Sequence, residues 1–173
     1  DRDSSTFYLE KALSFAVSLN LKFDEASILN KMGVIQMQQE KFSKSLEFYL
    51  KALTLAKNSA IEKTIWHLPS GQSPTSARML LLSDCYDLIG LLNAYTGNWI
   101  VNTKNQLKNY REAEKYAKAA GDIRQIGYIN FHMGIAYMNE GKLDSAFMLI
   151  NNAISTFSDL KDQTGLGRAN KYL

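Results

Sequence analysis

NKMGVIQMQQEKFSKSLEFYLKA (residues 30–52) and FHMGIAYMNEGKLDSAFMLINNA (residues 131–153) are two versions of one pattern. Each carries Met-Gly near its start, Met32-Gly33 and Met133-Gly134, and each closes on an alanine nineteen residues beyond the glycine, Ala52 and Ala153. A small and a larger residue lie between at matched offsets, Ser45 and Tyr49 in the first, Ala146 and Ile150 in the second. Apolar residues recur at steps of three and four, and the pattern breaks at Gln39-Glu40-Lys41 and at Glu140-Gly141-Lys142, so each stretch reads as two helices joined by a short turn. A helical hairpin that recurs cannot cover its own apolar face and must stack on its neighbours. The expectation is an all-α, right-handed solenoid of antiparallel helix pairs.

Composition agrees with that expectation. The chain has 173 residues, 46% of them apolar, with only two prolines and ten glycines, too few turn residues for a sandwich or barrel. The net charge of +3 is interspersed rather than gathered into a basic stripe, which argues against direct nucleic-acid binding. The densest basic region, Lys104 to Lys118, also holds Glu112 and Glu114 and reads as a solvated helix face. Cys85 is the single cysteine, set among apolar residues, and reads as a buried inert thiol. No apolar run reaches the roughly 18 residues of a membrane span. The chain opens on Asp1 without a signal peptide, so its start reads as a cut end; the cytoplasm is favoured, with the periplasm open if a longer parent carries a signal or anchor.

Asp3-Ser4-Ser5-Thr6 can cap a first helix running to about Asn20. A second helix opens at Phe23-Asp24 with Ile28, Leu29, Met32 and Ile35 inward, and a third follows with Phe42, Leu46, Tyr49, Leu50 and Leu53 inward. Ile61 to Leu68 suggests a short helical turn, and Pro69 to Ser76 reads as a loop. A broadly apolar helix spans Ala77 to Tyr95 and is stopped by Gly97-Asn98. Further helices are expected through Leu107 to Ala120, near 123–139 and 143–158, and from Asp162 to the end. Trp66 and Trp99 sit near element boundaries, where packing under a loop is favoured over anchoring a partner.

These pairs resemble the tetratricopeptide repeat, whose first helix (A) carries large, large, glycine and aromatic positions and whose second (B) carries small, aromatic and alanine positions. Leu29, Met32, Gly33, Ser45, Tyr49 and Ala52 match in one unit, and Met133, Gly134, Tyr137, Gly141, Ala146, Ile150 and Ala153 in another. A middle unit offers Tyr86, Ile89, Gly90 and Gly97 on its A side, with B-side residues reappearing eleven places late at Ala113, Ala117 and Ala120. Eleven residues are about three helical turns, so either a lengthened helix B or a loop over Asn98–Asn105 would accommodate them. The resemblance divides the chain into a partial repeat 1–20, a repeat 24–58, an insertion 59–76, repeats 77–120 and 123–158, and a partial repeat 162–173. Gly167, Asn170 and Leu173 echo Gly127, Asn130 and Met133 forty residues on, so the chain reads as a fragment of a longer array. Steps of this length are similar to those in bacterial regulators, sensor kinases, Rap-type regulators and kinesin light chain.

Chemistry that would make an enzyme is not evident. There is no P-loop, GxSxG elbow, HExxH pair or EF-hand loop, His67 and His132 are far apart, and no cofactor or metal is expected. Asp84 and Asp87, at i and i+3, read as a solvated or ligand-facing patch rather than an acid–base pair. The resemblance implies a non-catalytic scaffold that binds a protein or peptide in a concave groove built from helix A, within a larger regulatory protein; the alternative is a peptide- or ligand-sensing domain that switches an attached effector. By register it places Asn30, Met37, Gln38, Asp84, Asp87, Tyr95, Tyr128, Phe131 and Asn139 on that surface, with Ser27, Val34, Leu91, Ala94, Ile135 and Met138 beside them. Val34, Leu91 and Ile135 could equally pack between helices. The cationic pair that clamps chaperone C-termini in this family is missing: the comparable places hold Asn30, Val34, Asp84, Leu88, Tyr128 and His132.

Overall fold

The computed structural model describes residues 2–96 and 99–172, and every regular element among them is helical. The eight α-helices are α1 (Arg2–Ser18), α2 (Lys22–Gln38), α3 (Phe42–Lys57), α4 (Pro74–Asn93), α5 (Trp99–Ala120), α6 (Ile123–Asn139), α7 (Leu143–Asp159) and α8 (Gln163–Ala169). Short 3₁₀ segments cover Ser59–Thr64 and Asn170–Tyr172. Each helix packs on the next, most extensively within the hairpins α2–α3, α4–α5 and α6–α7, and the first helices of these hairpins also touch, α2 on α4 and α4 on α6. This is a tetratricopeptide-like helical solenoid.

One turn is used five times. Asn20, Glu40, Gly121, Gly141 and Lys161 all sit at positive φ, between 54° and 74°. In each turn the next residue's N–H reaches back five places, Leu21 to Ala16, Lys41 to Gln36, Asp122 to Ala117, Lys142 to Tyr137 and Asp162 to Phe157, at 2.8 to 3.1 Å. This is the left-handed Schellman stop, which satisfies terminal carbonyls and reverses the chain in two or three residues. Asp122 and Asp162 then cap the following helix, accepting from Gln125 N at 2.8 Å and Gly165 N at 3.0 Å.

Within each hairpin a helix-B side chain fills the place of the missing side chain of a helix-A glycine. Tyr49 lies over Gly33, Tyr110 over Gly90 and Ile150 over Gly134, and a Cβ at any of the three would fall well inside contact distance of that partner. Ser45 Oγ donates to Gly33 O at 2.8 Å, and Ser83 Oγ donates to Ala113 O at 2.9 Å. Ala52, Ala113 and Ala153, each three residues past the filling side chain, are fully buried. The middle hairpin thus corrects the register read from the sequence. Tyr110, not Ala117, is the partner of Tyr49, so α5 carries four surplus residues rather than eleven. The misreading is a slip of seven, two helical turns, which returns to nearly the same face. The surplus lengthens α5, which is a continuous helix through residues 99–105.

Other boundaries differ by local chemistry. Residues 3–6 lie inside α1 rather than ahead of it. Pro74 begins α4, three residues before the expected start, because Ser73 accepts from Ser76 N and proline suits the first helical position. Leu46 and Leu50, expected inward, are exposed, while Ser45, Tyr49, Ala52, Leu53 and Ala56 form the buried face of α3. The stop at Gly97-Asn98, the Trp99 side chain and Leu173 lie outside the described residues. The basic face of α5 is solvated as expected, with Lys115 near Glu112 and Lys118 paired to Glu114. Cys85 is buried, and burial with the nearby Asp84 pushes its thiol well above the ordinary range. No helix among the described residues is long and apolar enough to cross a membrane.

Candidate functional site

Helices α2, α4 and α6, with Tyr95 in the turn after α4, carry the residues assigned to the binding surface, and they do not share one environment. Asn30 is buried, and its Oδ1 has no hydrogen-bond partner among the described residues. Met37 is half-buried with its sulfur 4.0 Å from the Tyr49 hydroxyl, and Gln38 and Asn139 are exposed. Tyr95 is exposed and stacks on Phe42 with ring centroids 5.6 Å apart. Tyr128 is half-buried, donates to Asp162 Oδ2 at 3.2 Å and packs on Phe157 at 4.7 Å. Burial, then the Asp162 carboxylate, raises the Tyr128 phenol, while the Gly165 N–H is the largest cause holding Asp162 low. Phe131 is buried in the α6–α7–α8 core with Ala153, Phe157 and Ala169. Val34, Leu91 and Ile135 are half-buried against the cores, the packing alternative left open by the sequence.

The two aspartates of α4 part company, so they are not one solvated patch. Asp87 is buried and meets a ring nitrogen of His132 at 2.8 Å, tying α4 to α6. The Tyr110 ring lies 5.7 Å from that imidazole. Sequence reasoning noted His132 only as a place where a clamping cation is lacking, and nothing in the sequence links residues 45 apart on helices whose register is displaced by α5. Asp84 instead lines a recess of about 240 Å³. Its walls come from α2 (Phe23, Ser27), from α4 (Ala77, Leu80, Leu81) and from the insertion (His67, Leu68, Pro69, Gln72). Burial, then the neighbouring carboxylates of Asp87 and Asp122, pushes the Asp84 carboxyl up to about 7.

The insertion is anchored rather than loose. Its 3₁₀ segment buries Ile61, and Thr64 Oγ1 accepts from Phe23 N at 3.1 Å. Glu62 binds Arg78 Nε at 2.6 Å and accepts from Thr75 Oγ1 at 2.9 Å, bonds that hold its carboxyl low. Trp66 is 74% exposed, so it does not pack under the loop as the sequence suggested. A second and larger groove of about 600 Å³ opens between α1, α2 and α3, with mainly apolar walls such as Leu13, Val17, Leu29 and Leu50, and no sequence motif pointed to it. Lys51 and Glu47 at its edge pair with each other at 2.6 Å.

Comparison with curated proteins gives no match. A family model does match: that of the tetratricopeptide repeat, over residues 26–59, which contain most of α2 and all of α3. Such repeats generally mediate protein–protein interaction and are typically non-catalytic. The matched hairpin stacks on others built around the same glycine-filling contact, and the chain is thus a tetratricopeptide-repeat-containing protein.

Proposed function

We propose that the chain is a non-catalytic scaffold that holds an extended peptide or partner segment along α2, α4 and α6, within a larger regulatory or signalling protein. The observation that carries this reading is the buried Asn30 Oδ1 without a partner, on the side of α2 that also bears Ser27 and Val34. A buried acceptor left unsatisfied costs about 1–3 kcal/mol, and turning the Asn30 amide outward onto a peptide N–H would recover that cost. Half-buried apolar groups lie on the same three helices, Met37 on α2, Leu91 on α4, and Tyr128 and Ile135 on α6. Such a mixture of amide and apolar groups suits main-chain recognition with side-chain pockets. Because the helices are already packed, binding would not spend energy on folding the site.

The test is selection of peptides from a random display library on the intact chain, followed by affinity measurement on Met37→Glu and Tyr128→Ala. Both variants should retain helical content by circular dichroism and lose about tenfold or more in affinity. Undiminished affinity in both would move binding away from α2, α4 and α6 and overturn the proposal.

A further inference from the structure

We propose that the recess roofed by the insertion is a subsite for a lysine side chain of the bound segment, with Asp84 receiving the ammonium and the apolar walls taking its stem. This rests on the peptide-binding reading above and adds to it the chemistry of one position. Asp84 accepts no hydrogen bond and makes no ion pair among the described residues, although it lines a recess of about 240 Å³. It is densely surrounded yet keeps some accessible surface, as a group on the floor of an open recess does. A carboxylate withdrawn from water without a partner is unfavourable, and an incoming cation would remove that penalty. The charges acting on it are both carboxylates, Asp87 and Asp122, which explains the rise of its carboxyl and gives the recess a field that favours a cation.

The shape of the recess selects among cations. Asp87 is committed to His132, so one carboxylate is available rather than two. Phe23, Leu68, Pro69, Leu80 and Leu81 make most of the wall, with Ser27 and Gln72 as added polar groups. A four-carbon stem carrying a compact point charge fits apolar walls around a single acceptor. A guanidinium could also pair with both oxygens of a carboxylate, but its planar head is wider than an ammonium and is disfavoured in a recess of about 240 Å³. His67 is exposed at the insertion side. The roof comes from His67, Leu68, Pro69 and Gln72 of the insertion, which exceeds the repeat pattern, so the subsite belongs to this chain's own insertion.

The test titrates the intact chain at pH 8 with N-acetyl-Gly-Lys-Gly-amide, following the amide signals of Ser27, His67 and Asp84. Parallel titrations use the ε-acetylated lysine peptide, the arginine peptide and triglycine amide with a free N-terminus. Saturable shifts at these residues are expected for the lysine peptide, in the millimolar range. They should weaken by about tenfold or more for the other three probes and for Asp84→Asn. Absence of saturation, or an unchanged response from acetyl-lysine or from Asp84→Asn, would overturn the subsite. An equal response to arginine or to the free amine would overturn the lysine assignment. Display-selected peptides that bind α2, α4 and α6 yet tolerate norleucine for every lysine would overturn the subsite while leaving the groove reading intact.

Discussion

At the scale of single residues, the hairpins depend on hydrogen atoms where side chains would otherwise stand. Adding a methyl group at Gly134 would bring it to 2.6 Å from Ile150 Cγ1 and 3.2 Å from the Ala146 carbonyl, and backbone cannot yield cheaply. Gly134→Ala should cost about 1–3 kcal/mol in denaturant unfolding. A methyl group at Gly167, inside α8, would meet nothing within 4 Å, so Gly167→Ala should be neutral or stabilise by up to about 1 kcal/mol. A similar cost at both glycines would show that close approach is not what Gly134 provides. Asp84 gives a pH signature. Its folded carboxyl, held near 7 by burial and by Asp87 and Asp122, keeps a proton that the unfolded chain has released above its ordinary value of 3.8. More protons are bound folded than unfolded, so stability falls as pH rises from about 4 to 7. Asp84→Asn should therefore raise the melting temperature at pH 8 by roughly 2–4 °C or more and change little below about pH 3, where both states are largely protonated. An equal effect at both pH values would show that Asp84 is not a strained charge.

The elements are where the sequence was most and least legible. Helix positions, their approximate ends and the glycine–alanine spacing were readable because a buried stripe and a reversal are local properties of the chain. The Schellman stops were only half visible, since Gly121 and Gly141 announce a left-handed residue while Asn20, Glu40 and Lys161 in the same conformation do not. The latter two carry a side chain against a backbone that disfavours it, so Glu40→Gly and Lys161→Gly should each stabilise by about 0.5–1 kcal/mol in thermal or denaturant melts. Loss of stability in both would contradict the shared turn. The register of α5 was misread because Ala113, Ala117 and Ala120 repeat the small-residue texture two turns beyond the true contact at Tyr110. The 44-residue step from Gly90 to Gly134, against the forty between Gly127 and Gly167, was the signal that would have located four surplus residues. The recess was illegible for a different reason: Ser27, His67 and Asp84 meet only through the folded path of the insertion.

For the whole molecule, stability follows from neighbour contacts, since each hairpin leans on the next and no single centre gathers the chain. Helix α4 has nine buried residues and meets α2, α3, α5 and α6, whereas Ala16 is the buried residue of α1 among its described side chains and α8 buries Gly165 and Ala169. Amide exchange should be slowest in α4 and fastest in α1 and α8, and uniform protection would argue for a closed bundle instead. The surface formed by the first helices is the feature on which the functional account turns. The most direct measurement is a backbone amide shift map of the intact chain saturated with a display-selected peptide. Perturbations gathered on Ser27, Asn30, Val34, Asp84, Leu91 and Tyr128 are predicted. A footprint confined to α3, α5 and α7, or to the groove between α1 and α3, would contradict the account.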